Sequence, residues 1–203
     1  MPDPLDATWV SDRLIRLRAG DPSARDELLA FAAGRLERLS HGLLRSQFGR
    51  VGRWVDTGDV FQNAAVRLWR ALAGVAPESP LHFHRLAARL VRLELIDLAR
   101  QFFGPRGLGA HHETVATGPG DAEPADPLGA APGPDPARAA EWAELHALVQ
   151  GLPDEEQAVT DLVYYQGLTQ EEAAALLGVD VRTVQRRWQR ARRKLGELLA
   201  QSD

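Results

Sequence analysis

The sequence predicts an all-α protein: two small helical domains joined by a flexible Gly/Pro-rich linker, the C-terminal one a helix-turn-helix. Apolar residues recur at three-and-four spacing along most of the chain, which is the period of one helix face. Residues that cap helices precede these stretches, and Gly or Pro follows them. From Gly104 to Pro136 the 33 residues include seven Gly and seven Pro, so the linker is assigned to 105–137 and the domains to 1–104 and 138–203.

The composition argues against several classes of protein. The 203 residues suffice for two small cores, and the absence of Cys excludes disulfides and thiolate metal sites. The six His lie without a carboxylate cluster, and the chain has neither a Gly-rich phosphate loop nor a nucleophile-and-base set. We therefore expect no enzyme, no catalytic residues, no bound metal and no cofactor. No apolar run could span a bilayer and no signal pattern begins the chain, which predicts a cytoplasmic protein without membrane contact.

The first two predicted helices are separated by a glycine-containing corner. The first covers about Thr8 to Arg18 and stops at Ala19-Gly20. Asp21-Pro22 then places a cap residue and a proline in the order that begins a helix. An apolar stripe carries the second helix to about Gly49.

The third predicted helix begins at an Asp-Thr-Gly tripeptide, residues 56–58, which also occurs at the catalytic carboxylate of aspartic proteases. A protease would need a second such loop, and the chain has none. The tripeptide is interpreted instead as a helix start, because Asp56, Thr57 and Asp59 suit the positive end of a helix dipole. The apolar residues that follow keep helical spacing: Val60, Phe61, Ala64, Ala65, Leu68 and Leu72. The opposite, polar face contains Asp59, Gln62, Asn63, Arg67 and Arg70.

The fourth predicted helix follows a loop from Ala73 to His82 and covers about Phe83 to Phe103. Three arginines share one of its faces: Arg85, Arg89 and Arg92. By periodicity alone this face either binds an anionic partner, faces solvent, or pairs with Glu94, Asp97 or a neighbouring helix.

The C-terminal domain is predicted to begin with a helix from near Ala137 to about Gly151, and Leu152-Pro153-Asp154 opens the next. Thr169 and Glu172 form a capping box for a short helix that ends at Leu177. A tight turn, Gly178 to Asp180, then leads into a last helix from Val181 to about Leu199. A short helix, a glycine-containing turn and a longer helix make a helix-turn-helix.

The last helix is strongly basic. The formal net charge of the chain is −4, yet seven basic residues and no acid lie between Arg182 and Lys194. One stripe of this helix is apolar and should pack inward: Val181, Val184, Trp188, Ala191, Leu195 and Leu198. The remaining surface offers long hydrogen-bond donors for base edges and phosphates of a major groove: Arg182, Thr183, Gln185, Arg186, Gln189, Arg190 and Arg193. A solvated helix face normally mixes signs, so we interpret this one as a DNA-binding surface.

Three stretches of the chain resemble the extracytoplasmic-function (ECF) RNA polymerase sigma factors of bacteria. "DTGDVFQNAAVRLWRAL" is similar to the core-binding helix of that family, and "FHRLAARLVRLELIDLAR" to its promoter-melting helix. "LPDEEQAVTDLVYYQGLTQEEAAALLGVDVRTVQRRWQRARRKL" is similar to its last segment. The resemblance covers about residues 8–103 and 138–199, and the family also places a variable tether between the two parts.

The resemblance implies a division of labour among the helices. The third helix would bind core RNA polymerase through Asp59, Gln62, Asn63, Arg67 and Arg70. The fourth would capture the unstacked minus-ten strand, with Arg85, Arg89 and Arg92 on its phosphates. The basic last helix would bind the minus-thirty-five duplex, and an anti-sigma protein is a further partner known in the family. The alternative is a helix-turn-helix regulator that binds duplex DNA without polymerase.

Overall fold

The computed structural model describes residues 7–47, 57–103 and 143–201. All regular secondary structure within these ranges is helical, which confirms the predicted all-α class. The predicted linker, residues 105–137, and Asp56 of the Asp-Thr-Gly tripeptide lie outside the described residues. The division into domains at that linker stays a prediction.

The N-terminal half is a bundle of four helices: α1 (Ala7–Arg18), α2 (Pro22–Gln47), α3 (Thr57–Gly74) and α4 (Pro80–Phe103). Their apolar stripes meet in one core, where Leu14, Leu28 and Leu68 are at most 1% exposed. Burying a side chain of this size stabilises the fold by about 1.5–3 kcal/mol. The corner before α2 forms as predicted, with Gly20 at φ +86° and Asp21 Oδ1 accepting from Ser23 N at 2.9 Å.

Helix α4 begins three residues earlier than the sequence analysis predicts, at Pro80 instead of Phe83. Ser79 Oγ accepts a hydrogen bond from His82 N at 3.2 Å, as a cap residue does. Proline fits the first helical position because the N–H it lacks would have no partner there. The predicted loop from Ala73 to His82 was therefore too long.

The C-terminal half contains α5 (143–148 of the described residues), α6 (Asp154–Thr160), α7 (Gln170–Leu177) and α8 (Val181–Leu199). Helix α5 continues into a 3₁₀ turn, Val149–Gly151, and α6 into a π-helical turn, Asp161–Tyr165. Helices α7 and α8 form the predicted helix-turn-helix. Its turn contains Gly178 at φ +65°, a left-handed conformation that favours glycine.

The capping box predicted for α7 is present. Thr169 Oγ1 accepts from Glu172 N at 3.2 Å, and Glu172 Oε2 accepts from Thr169 N at 2.6 Å. We expect Thr169→Ala to lower the free energy of unfolding by about 1 kcal/mol, because an N–H of the first turn loses its acceptor. Urea unfolding followed by circular dichroism measures this change. Thr169→Ser keeps the acceptor and is the control; an equal loss in both variants would contradict the capping explanation.

The two halves pack against each other. One apolar cluster unites residues of α1 to α4 with Val149, Leu152 and Tyr165 of the C-terminal half, and also with Ala191 and Leu195 of α8. A second cluster joins α6 and its π-helical turn to the helix-turn-helix: Val159, Leu162, Leu168, Ala173, Ala174 and Val184. The helix-turn-helix region therefore has an apolar core of its own and shares another with the N-terminal half.

A buried histidine ties α5 to the π-helical turn. His146 is 0% exposed, and its Nδ1 lies 2.7 Å from the hydroxyl of Tyr165. Burial lowers the pKa of His146 from its ordinary 6.5 to about 4, and the positive charge of Arg92 adds to this effect. The fold therefore requires a neutral imidazole.

Acidification should destabilise the protein through His146. Because the pKa is lower in the folded state than in the unfolded state, the stabilisation is complete above about pH 6.5 and declines as the pH falls toward 4, by up to about 3 kcal/mol. The free energy of unfolding is measured for the wild type and for His146→Gln across this pH range. The difference between the two proteins isolates the contribution of His146, because the carboxylates titrate in both. The advantage of the wild type should shrink as pH falls; a constant difference would contradict the assignment.

Candidate nucleic-acid interface

Helix α8 presents the face that the sequence analysis assigned to DNA. Six of the seven assigned side chains are exposed: Arg182, Gln185, Arg186, Gln189, Arg190 and Arg193. The seventh, Thr183, is half-buried, and its hydroxyl donates to Asp180 Oδ2 at 2.8 Å. Thr183 therefore helps to begin the helix, while the other six form an open basic and amide surface, called the α8 outer face below.

The inner side of α8 fixes the direction of this surface. Val184 and Ala191 are fully buried, Leu195 is 8% exposed, and Trp188 is half-buried against the helix-turn-helix core. Asp180 accepts from the backbone N–H of Thr183 at 2.8 Å and so caps the first turn. The hydrogen bonds from Thr183 lower the pKa of Asp180, so the cap stays charged at neutral pH.

One basic residue of α8 serves the fold instead of the outer face. The guanidinium of Arg187 pairs with the carboxylate of Glu155 in the first turn of α6. The Arg187 side chain is only 16% exposed. The pair attaches α8 to α6, which explains why this arginine is separate from the exposed donors.

The polar face of α3 is also accessible. Gln62, Asn63 and Arg70 are exposed, and Asp59 lies in the helix. Arg67 is half-exposed and bridges to α4, with Nε 2.8 Å from Glu94 and Nη2 2.6 Å from Asp97. Of the five residues assigned to polymerase, Arg67 thus also holds two helices together.

A tryptophan extends this surface of α3. Trp69 is 39% exposed, and its Nε1 donates to Asp26 Oδ1 at 3.4 Å. The guanidinium carbon of Arg25 lies 4.0 Å from the centre of its ring, as in a cation–π contact. These two contacts from α2 hold the exposed indole in place.

The arginine face of α4, defined as Arg85, Arg89 and Arg92, is largely covered by the C-terminal half. Arg92 is 2% exposed, and its Nη1 donates to Asp161 Oδ1 at 2.5 Å. Arg85 Nη2 donates to Asp154 Oδ1 at 2.5 Å, and its Nε lies 3.8 Å from Asp161 Oδ2. Arg89 alone of the three is exposed.

The Asp161 carboxylate is held in an unfavourable environment. Burial raises its pKa, while the adjacent charge of Arg92 and a hydrogen bond from it act in the opposite direction. Its side chain is 4% exposed, so the ionised form depends on the two arginines of α4. The Nε of Arg92 has no hydrogen-bond partner within the described part of the chain. The contact between the halves is therefore polar, buried and incompletely satisfied.

An open pocket of about 470 Å³ lies along the same junction. Arg85, Arg89 and Arg92 line one side, together with Ser79 and His82 at the start of α4. Gln150, Gln157 and Asp161 close the other side from the C-terminal half. The pocket leaves Arg89 accessible beside its two paired neighbours.

Asp154 and Asp161 are partners of the α4 arginines that were not predicted. Glu94 and Asp97, the acids expected as partners, pair with Arg67 of α3 instead. A signal was available, since Arg85 and Arg92 are seven residues apart and so are Asp154 and Asp161. Seven residues make about two helical turns, so two such pairs can face each other across a helix contact.

Two classes of site are absent from ranges 7–47, 57–103 and 143–201. No group of three or more His, Cys, Asp or Glu there could hold a metal ion. None of the helices in those ranges combines the length and the apolar character that crossing a bilayer requires.

Comparison with known proteins identifies the family of the chain. The family described as ECF sigma factor matches the chain over residues 7–201. The RNA polymerase sigma factor CnrH of Cupriavidus metallidurans is 34% identical to the chain over 152 residues. That alignment covers 71% of this chain and 73% of the relative.

Proposed function

The chain belongs to the ECF sigma factor family, and from that premise we propose that it binds core RNA polymerase and promoter DNA and directs transcription initiation. The observation that carries the proposal is the α8 outer face, six exposed donors with no acid between Arg182 and Lys194, on the second helix of a helix-turn-helix. The named relative is an RNA polymerase sigma factor, which supports the same role.

The α8 outer face binds the minus-thirty-five duplex in this proposal. The second helix of a helix-turn-helix enters the major groove, with residues of its N-terminal part on the base edges. Arg182, Gln185 and Arg186 occupy that part of α8, and Arg190 and Arg193 follow toward the phosphates. Thr183 supports the helix start through Asp180.

Helix α3 binds core polymerase through Asp59, Gln62, Asn63, Arg67 and Arg70. The support is exposure, because Gln62, Asn63 and Arg70 point to solvent on a helix whose other face is buried at Ala64 and Leu68. Glu94 and Asp97 hold the Arg67 guanidinium, so this residue reaches a partner in a fixed geometry.

Gln62→Ala should weaken core binding about tenfold while leaving duplex DNA binding unchanged, since an exposed interface side chain is removed without touching α8. Affinity for labelled core polymerase and for promoter duplex, each measured by fluorescence anisotropy, separates the two effects. Ala30, exposed on α2, supplies a control site for a matched change, Ala30→Gln. Equal weakening of both affinities by Gln62→Ala would point to misfolding and against a polymerase contact.

Helix α4 captures the minus-ten strand with Arg85, Arg89 and Arg92. Arg89 is exposed for this purpose, and the other two become available when their carboxylate partners move away. The mechanism is binding and base capture, without covalent chemistry or a cofactor. We further propose that the protein acts in the cytoplasm, and this function is compatible with regulation by an anti-sigma protein.

Run-off transcription with core polymerase and a promoter library tests the proposal. Chain-dependent starts that share a spaced pair of upstream motifs are expected. No such starts, with the protein alone still binding duplex DNA, would indicate a helix-turn-helix regulator that acts without polymerase. In that case the N-terminal half would be the candidate sensor.

A further inference from the structure

The contact between α4 and the C-terminal half suggests a regulatory role for the fold. We propose that Asp154 and Asp161 occupy the positions of strand phosphates on the arginine face of α4. In this closed form, with its two halves in contact, the chain would inhibit its own binding of single-stranded DNA. The inference rests on the proposed function of α4 as the minus-ten-binding helix. The strand and the C-terminal half would then compete for the same guanidinium groups.

The chemistry of the two partners is equivalent at this face. Arginine binds carboxylate and phosphate through the same charge-assisted hydrogen bonds. Arg92 is 2% exposed and Arg85 is paired with Asp154, so a strand must compete with the acids for both guanidinium groups. Arg89, exposed at the rim of the 470 Å³ pocket, stays available for a first contact.

The ion pairs that hold the two halves together contribute little net stability, so the halves can separate. A buried ion pair gains little net stability, because desolvation of both charges offsets their attraction. Burial raises the pKa of Asp161 and the Nε of Arg92 has no partner within the described residues, so both groups gain hydration when the halves part. The Asp154 side chain is 78% exposed, so its ion pair with Arg85 is weak. A competing polyanion can therefore displace the acids.

Closure affects the two DNA surfaces differently. The α8 outer face remains exposed in the closed form. The proposal therefore expects opening to raise affinity for single strands and to leave affinity for duplex unchanged. A general gain in positive charge would raise both.

The test uses the full chain with Asp154→Asn/Asp161→Asn, which removes both carboxylate charges with little change in shape. The matched control is Glu171→Arg, which alters the net charge by the same amount at an exposed position of α7. The probe is a fluorescein-labelled oligodeoxythymidylate of about 20 nucleotides, read by anisotropy at one fixed salt concentration. If the double variant does not fold, Asp154→Asn alone, at an exposed site, is compared with Glu171→Gln, which changes the net charge by the same amount; a smaller gain in affinity is expected, and no gain over this control would overturn the inference.

A distance measurement accompanies the affinities. The chain has no Cys, so cysteines placed at Ala30 of α2 and Ala175 of α7, both exposed, take a donor and an acceptor dye selectively. Lower energy transfer in the double variant than in the wild type would show that the halves have separated. Circular dichroism and duplex affinity verify that the helix-turn-helix remains folded.

We expect the double variant to bind the oligonucleotide about tenfold more tightly than the wild type, since apparent affinity rises with the open fraction. Glu171→Arg should change it by less than about twofold. Separation without tighter binding than in the control, or no separation, would overturn the inference. Wild-type run-off transcription distinguishes the two proposals, because its absence contradicts the sigma function whereas an unchanged double variant contradicts only self-inhibition.

Discussion

Arg92→Met should lower the free energy of unfolding by about 3–5 kcal/mol, which is the cost of leaving one partner of a buried ion pair without the other. Asp161 is 3% exposed and would keep its charge only through the more distant Arg85, whose Nε is 3.8 Å away. Thermal and urea unfolding of the full chain measure the loss. If separating the two halves requires less free energy than this, the variant separates instead of keeping Asp161 buried and unpaired. The measured loss of stability then equals the free energy that holds the halves together.

The matched control for Arg92→Met is Arg92→Met/Asp161→Leu. This pair of substitutions removes both charges and also the unpartnered Nε of Arg92. Apolar replacements for a buried ion pair are often neutral or stabilising, so most of the lost stability should return. A single variant that loses less than about 1 kcal/mol while energy transfer shows the halves still in contact would mean that Asp161 is solvated in the native protein, contrary to its 3% exposure.

Arg186→Ala should reduce affinity for the minus-thirty-five duplex by about 10- to 100-fold and leave core polymerase binding intact. The expectation follows from a loss of about 1–3 kcal/mol when an arginine that contacts a base is removed. Arg186 is exposed in the middle of the α8 outer face, so its removal should not disturb the fold. Anisotropy with labelled duplex and with core polymerase measures the two affinities.

Arg192→Ala is the control on the same helix. Arg192 is also exposed but lies about 120° around the α8 axis from Arg186, at the edge of the outer face and two turns after Gln185. It should weaken binding less and by the same factor for every duplex sequence, as loss of a general electrostatic contact does. An equal effect of both substitutions would mean that α8 binds DNA only through net charge.

The local elements of this fold could be predicted from the sequence because their signals are local. Helix α8 has the predicted bounds, Val181–Leu199, since Asp180 caps it and its apolar stripe continues to the end. The capping box at Thr169 involves residues three apart and was equally visible. The early start of α4 was missed because Ser79-Pro80 was counted as loop, although a cap residue followed by proline favours a helix start.

The contact between the halves could not be derived in the same way. Asp161 lies 69 residues from Arg92, and helical periodicity carries no information about which faces meet across such a distance. The exposed α8 face was predicted because charge and period agree there. For the arginine face of α4, periodicity does not distinguish binding of an anionic partner from pairing with acids of the chain. In the structure Arg85 and Arg92 are paired with such acids.

The π-helical turn Asp161–Tyr165 has a consequence for the evolution of the chain. Such a turn is equivalent to one residue inserted into an α-helix, and it contains both the partner of Arg92 and the partner of His146. Deleting one residue there would rotate one of these side chains by about 100° relative to the other. The length of this segment should therefore be inherited unchanged among relatives that keep both contacts, even where individual side chains differ.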